Sequence, residues 1–419
     1  MSKDKGFVDR FLGVAVKVQN NLYLKAISDG FAALMPLIMV GAIFAVIDSL
    51  GIPVYQDFLV NVGIKDFLKF PNMVTNGLLS IYVAFSIAYN LAKNYKLDEF
   101  MSGFVSVMAF MLLQPFTTAA DGSYQIGMNL LGAEGIFTAI IAAIVVVECT
   151  RFLISHNIYV KMPKEVPEMV ERSFKALTTV VLVMTVILAV KIAFAATSLG
   201  TLSNLIAIVI QAPLKSLGSS WISFAIILTI VNLLWFFGIH GHLVALSVML
   251  PVYLQMDIEN LAAYQAGTAL PNILSNSFIY VYGAGACVLA GFVYCLWRAK
   301  TKRFNTIAKL AFVPMLFGIG EPLAFGVSFV FNFTLFIPAV FSGTINVILA
   351  YFATVVGILP RLNGVSINGL PVVVSGFLTG GFRVALFQVA LCILNIAVWS
   401  VFVKKMDQVE YEKEQLQAE

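Results

Sequence analysis

The sequence predicts an all-α, polytopic integral membrane protein, and three observations predict it. The 419-residue chain is 60% hydrophobic and only 11% charged, whereas soluble domains average about 25% charged residues. Apolar runs of about 20 residues recur along it, each long enough to cross a bilayer as a helix. Examples are ISDGFAALMPLIMVGAIFAVI from Ile27, ALTTVVLVMTVILAVKIAFAA from Ala176 and FIYVYGAGACVLAGFVYCLW from Phe278. So many spans exclude a large soluble helical core. Third, 20 of the 26 Lys and Arg residues fall in five stretches: 1–29, 93–99, 151–175, 298–309 and 404–419. Basic residues flank membrane helices on the cytoplasmic side. The five stretches therefore mark the inner face and place both termini there. None forms a patch of the kind that nucleic acid requires.

The elements follow in order. The N-terminal MSKDKGFVDRFLGVAVKVQNNLYLKAI is charged and amphipathic, the pattern of a helix lying on the inner face. It lacks the form of a cleavable signal peptide. Span one, roughly 30–50, runs outward, and span two, roughly 74–92, returns to KNYKLDEF. Span three, roughly 100–118, leads to AADGSYQIGMN outside, and span four, roughly 134–154, comes back to a basic linker. The stretches at 93–99 and 151–175 thus fall on the same side as the N-terminus. Span five is roughly 176–198.

Beyond it the pattern changes. Apolar pieces are broken by Gly, Pro and polar residues in IVIQAPLKSLGSS, FFGIHGH, TALPNILSNS, FGIGEPLAFG and ILPRLNGVSINGLPVVVSG. Plain crossings remain at roughly 221–238, 278–297, 324–358 and 384–403. Broken backbone is tolerated at membrane depth only where protein buries it or where it lines a wet cavity, and transporters place substrate at such interrupted helices. The first half therefore reads as scaffold and the second as the working part, with the seam in the polar linker at 155–175.

Few residues could do chemistry. The four cysteines, Cys149, Cys287, Cys295 and Cys392, lie in apolar segments with no CxxC pair, so neither a zinc site nor a disulfide framework is expected. Most carboxylates, Asp48, Asp257 and Glu259 among them, fall at span ends or in loops, where solvation is the default. Glu148 lies one turn from Arg151 and is expected to pair with it. Glu321 differs: it sits in FGIGEPLAFG with no basic residue within ten positions, and an ionisable group at membrane depth marks a functional site by default. His240 and His242 flank Gly241; two residues apart they share no helix face, so a two-histidine metal site on one helix is not expected. Histidine takes up a proton near neutral pH, and a carboxylate accepts a hydrogen bond from a hydroxyl. The pair suits activation of a sugar hydroxyl and equally a proton relay. Gln211, Trp235, Thr268, Asn272, Asn276, Asn363 and Asn368, near the breaks, suit a neutral, hydroxyl-rich ligand or interhelical hydrogen bonds.

NNLYLKAISDGFAALMPLIMVGAIF, VKMPKEVPEMVERSFKAL, LLWFFGIHG and FGIGEPLAFGVSFVFNFTLFIPAVF resemble, in order and over nearly the whole chain, enzyme IIC of the bacterial sugar phosphotransferase system, in the lactose/cellobiose/diacetylchitobiose branch. The resemblance implies a homodimer with about ten spans per subunit, plus reentrant hairpins. It implies dimerising scaffold spans in 1–165, a sugar-transport part in 166–405 and a cytoplasmic tail at 406–419. Sugar would enter from outside and be phosphorylated on its 6-hydroxyl by the phosphocysteine of a separate cytosolic enzyme IIB, with IIA upstream. It implies that His240 in GIHG and Glu321 in GIGEP meet that hydroxyl as the catalytic pair. Trp235, Gln211 in IQAP, Thr268 and Asn272 in TALPN, and Asn129 would contact the sugar. Neither cofactor nor metal is expected. The family's GITEP reads GIGEP here, and Ile367, Asn368 and Gly369 stand where an aromatic is common, which opens the choice of disaccharide. A proton-coupled sugar transporter using His240 and Glu321, and a sugar-binding sensor, are the competing expectations.

Overall fold

The computed structural model describes residues 4–50, 52–161, 163, 166–283, 285–327, 329–367 and 369–418. It is helical apart from a two-stranded antiparallel ribbon, β1 (Thr117–Thr118) and β2 (Tyr124–Gln125). Seven described helices are long and apolar enough to cross a membrane, or eight if one bent pair is counted as a single span. Other apolar segments fall short of that length for two reasons. Span three forms only Glu99–Leu113, about 22 Å at 1.5 Å per residue, short of the ~30 Å hydrocarbon core. The broken half forms helices interrupted by turns. Contacts divide the chain into two compact units: residues 1–44 with 59–215, and residues 45–58 with 216–419. The boundary lies at Lys215, because the long fifth span packs on helices of the first unit.

The first unit contains α1 (Asp4–Gln19), most of α2 (Leu22–Ser49), α3 (Leu79–Asn94), α4 (Glu99–Leu113), α5 (Ile136–Ser155) and α6 (Glu168–Ala195). Small and hydroxyl residues let these helices approach closely, as lipid-immersed helices require. Ser86 on α3 donates to the Gly30 carbonyl of α2 at 3.0 Å. On the partner face Phe85 meets Phe104 edge-on at 5.3 Å and Tyr89 meets Phe100 at 5.4 Å. Asp98 caps α4 by accepting from the Met101 N–H at 3.0 Å.

Three of the chain positions flanking the basic stretches of this unit converge. Arg151 pairs with Glu148 at 3.1 Å, as expected, and lies 4.4 Å over the Tyr95 ring. The Tyr23 hydroxyl donates to the same Glu148 at 2.9 Å. Chain positions 23, 95 and 151 therefore share one end of the unit.

At the other end of α4 the Lys191 ammonium donates to the carbonyls of Leu112 and Gln114 at 2.7 and 2.9 Å and lies 4.8 Å over the Phe116 ring. A cation there satisfies orphan carbonyls and meets the negative end of the helix dipole. Lys191→Met is expected to destabilise the protein by about 1–3 kcal/mol, the cost of stranding buried acceptors. A melting temperature in detergent unchanged from the parent would refute the assignment.

The second unit contains α7 (Trp221–Phe236), α8 (Ser247–Gln265), α9 (Ala286–Trp297), α10 (Lys302–Leu316), α11 (Glu321–Gly326), α12 (Phe336–Val355), α13 (Val374–Gly380) and α14 (Phe382–Ala418). Helices α9 and α14 pack side by side, with Phe292 stacked on Trp399 at 4.3 Å. Helices α7 and α12 are joined through Thr229 and Thr344 at 2.9 Å. The long α14 ends beside the basic stretch at 298–309. There Asp407 accepts from the Lys300 and Thr301 N–H groups at 2.8 and 2.9 Å and from the Thr301 hydroxyl at 2.6 Å, at the start of α10.

Helix α8 organises the broken segments. Asn260 donates to both the Asn272 and Leu362 carbonyls at 2.9 Å, tying TALPN to ILPRLNG. Arg361 donates to the Leu270 and Pro271 carbonyls. Asp257 accepts from the Ser277 N–H at 2.9 Å and its hydroxyl at 2.7 Å. Asp257 is 2% exposed, whereas the sequence put it among solvated span-end carboxylates. The reason is tertiary: its partners come from a segment twenty residues away that folds back over it.

Candidate functional site

The second unit encloses a cavity of about 340 Å³, within the range of small-molecule sites. The last turn of α7 brings Trp235 to it and the turn after α7 brings His240 and His242; the turn into α11 brings Glu321; the stretch around Ile279–Gly283 brings Ser277, Tyr280 and Val281; and Ile367 and Gly369 supply another wall. Local sequence explains each turn. Helix α7 ends at Phe236 and Gly238 takes φ +78°, a conformation glycine adopts freely. Gly320 and Pro322 start α11 beside Glu321, Pro being suited to the first helical turn. Residues 279–283 are π-helical, a distortion frequent at functional sites.

The aromatic and imidazole rings form one cluster. Trp235 and His240 have centroids 4.6 Å apart, and His240 and His242 6.0 Å. The Trp235 indole N–H donates to His242 Nδ1 at 3.2 Å. Because an indole only donates, His242 Nδ1 accepts and the neutral ring carries its proton on Nε2. His240 is half-buried. Glu321 is exposed and faces the cavity.

The other candidates are placed elsewhere. Gln211 is half-buried and belongs to the first unit, as does Asn129, which is exposed and donates to Glu134 at 2.6 Å. Thr268 is exposed, and its hydroxyl donates to the Ala263 carbonyl at 3.2 Å beyond the end of α8. Asn272 is buried and spends its amide on the Met256 carbonyl at 3.1 Å and Glu259 at 2.8 Å. None of these four lines the cavity. Asn276 donates to Ser366 and Asn363 to the Leu378 carbonyl, so both serve the frame. Asn368, with Met162, Lys164 and Glu165 of the linker motif, lies outside the described residues.

Sequence reasoning missed Asn232, Ser277, Tyr280, Ser375, Thr379 and Gln388, all of which line the cavity. Gln388 carried a signal: it interrupts the apolar run FRVALFQVALCI. The described residues include no group of three or more His, Cys, Asp or Glu placed to hold a metal ion.

A multi-helical membrane unit with interrupted helices around a cavity that carries histidine, carboxylate and amide groups on a largely apolar lining defines a transporter of small polar solutes. Residues 28–343 match the family model of the phosphotransferase system, EIIC. The chain is 31% identical to the cellobiose-specific EIIC component of Geobacillus stearothermophilus, over 97% of this chain and 95% of that protein. It is 30% identical to the oligo-beta-mannoside-specific EIIC component of Bacillus subtilis (strain 168), over 97% and 94%. The crystal structure of the transporter ChbC, the IIC component of the N,N'-diacetylchitobiose-specific phosphotransferase system, superimposes with a TM-score of 0.92 at 30% identity, covering 98% of this chain and 99% of that one. The chain belongs to the phosphotransferase-system EIIC family, in its cellobiose/chitobiose branch. It is a multi-pass membrane protein and a sugar permease of that system.

Proposed function

We propose that this permease carries a disaccharide of the cellobiose, lactose or diacetylchitobiose type inward and holds its 6-hydroxyl for phosphorylation by phospho-enzyme IIB. The observation that carries the reading is that His240, Trp235 and Glu321 line one cavity. His240 accepts the hydroxyl proton as the sugar oxygen attacks phosphorus. The phosphorus–sulfur bond of the IIB phosphocysteine breaks, and the thiolate leaves. Glu321 accepts a hydrogen bond from the same end of the sugar and orients it. Such transfer depends on positioning and charge placement, and the base must reach the proton it removes. Trp235 offers an indole face to the sugar. Gln211, Thr268, Asn272 and Asn129, which lie off the cavity, would touch sugar only at another stage of its passage.

In this reading residues 1–165 are dimerising scaffold, 166–405 carry sugar and 406–419 form a cytoplasmic tail. Two copies associate in the bacterial cell membrane, both termini inside. The convergence of Tyr23, Tyr95 and Arg151 and the contact of Asp407 with the 298–309 stretch support that orientation.

Membrane vesicles loaded with phosphoenolpyruvate and the cytosolic relay proteins test the reading. Labelled cellobiose, lactose or diacetylchitobiose is expected to appear inside as the 6-phosphate, and only when the relay is supplied. Uptake of unmodified sugar against its gradient, driven by pH alone, would replace the reading with proton coupling.

A further inference from the structure

Gln388 lies on α14, is 1% exposed and lines the cavity. Its carboxamide is fully used. The amide nitrogen donates to the Val281 carbonyl and to the Ser375 hydroxyl, both at 2.9 Å. The amide oxygen accepts from the Val373 N–H at 2.9 Å and the Gly376 N–H at 3.0 Å. A carboxamide has two donors and two acceptor positions, and here all four are engaged. Val281 belongs to the π-helical stretch Ile279–Gly283, Ser375 and Gly376 open α13, and Val373 ends the turn before it. One side chain thus joins separate pieces of the cavity wall.

The turn it holds is strained. Val373 has φ +74° and ψ −48°, close to the rare γ-turn conformation. A β-branched residue there is a genuine outlier, and such a conformation persists only where its surroundings over-determine it. Its neighbours Leu370, Val372 and Ser375 line the cavity. Gly376 has no side chain between the turn and the amide: a Cβ there would overlap the Gln388 oxygen.

We propose that Gln388 is a positioning residue for the sugar: its carboxamide holds the strained turn at Val373 and the first turn of α13 against the π-helical stretch, and so sets the form of the cavity. This rests on reading the cavity as the sugar site. Gln388→Leu removes all four bonds at similar volume, and Gln388→Glu keeps the acceptor and loses the donors. Gly376→Ala leaves Gln388 in place and displaces its oxygen, so the outcome does not depend on one variant folding.

Hydrogen exchange on the purified full-length protein without sugar is expected to accelerate about tenfold or more at the Val373–Gly376 amides of each variant, the scale of a lost buried hydrogen bond. The other helices should exchange as in the parent. In the vesicle assay with cellobiose, lactose or diacetylchitobiose, KM should rise roughly tenfold with a smaller change in kcat. Adding Val373→Gly to Gln388→Leu removes the strain and should recover most of the lost affinity. Unchanged exchange at these amides overturns the clamp, acceleration across the whole chain reduces Gln388 to general stability, and no recovery by Val373→Gly overturns the strain. Exchange is read without sugar and decides the clamp by itself. Failure of the sugar-site reading would show instead as a parent protein that phosphorylates none of the three sugars.

Discussion

His240→Ala lowers the rate of sugar 6-phosphate formation by about 10²–10⁴-fold, the span over which a positioned acid–base group contributes. The alanine removes the imidazole of the GIHG turn, whose centroid lies 4.6 Å from that of Trp235, and leaves His242 bonded to the indole through Nδ1. His242 cannot take over the proton at that nitrogen without breaking the Trp235 bond. Glu321→Gln keeps the shape and replaces a charged acceptor by a neutral amide, so the loss is smaller, about 10²-fold, on the scale of a charge-assisted hydrogen bond. Both variants should insert in the membrane and melt as the parent does, since Glu321 is exposed and His240 half-buried. Phosphorylation assayed in vesicles with the complete relay measures the effect. Parent-level turnover by either variant would remove that residue from the proposed mechanism.

Gly364→Ala destabilises the second unit by about 3 kcal/mol or more, combining a left-handed backbone cost with overpacking. Gly364 has φ +83°, and a Cβ there would overlap the Asp257 carbonyl and come within 2.7 Å of the Leu261 nitrogen. The methyl group has no flexible neighbour to displace; it meets the backbone of α8. Relief requires the 360s segment to lift away, taking Val365 and Ile367 of the cavity with it. Gly357 is the control. It has φ +82° with open space around it, so Gly357→Ala meets only the backbone cost, about 1–2 kcal/mol. Melting in detergent separates the two. Equal losses would mean that the 360s segment is not seated on α8 as described.

Much of the fold was legible because bilayers impose simple rules. A run such as ALTTVVLVMTVILAVKIAFAA has one stable form in hydrocarbon, and positive charge at its ends sets its direction. The pairing of Glu148 with Arg151 was readable because helical neighbours three apart meet on one face. In the site, Trp235, His240 and Glu321 stood out as rare groups at helix breaks. Asn272 and Asp257 were harder, since a polar residue beside a break reads the same whether it faces a ligand or a neighbouring helix. Gln388 broke an apolar run, but no helix break lay beside it to mark it as part of the site. It sits near the start of a plain span, and its four partners come from segments up to 107 residues away.

By itself the sequence determined the class of protein, the apolar spans, the family and the short list of groups able to meet a sugar hydroxyl, because hydropathy, charge and motif are local properties. Only the tertiary structure decided which of those groups share a cavity and which spend their hydrogen bonds on the frame. That choice depends on where distant backbone groups come to rest: Asn260 and Arg361 tie down the broken loops, and Gln388 binds a strained turn to a π-helical stretch across the chain.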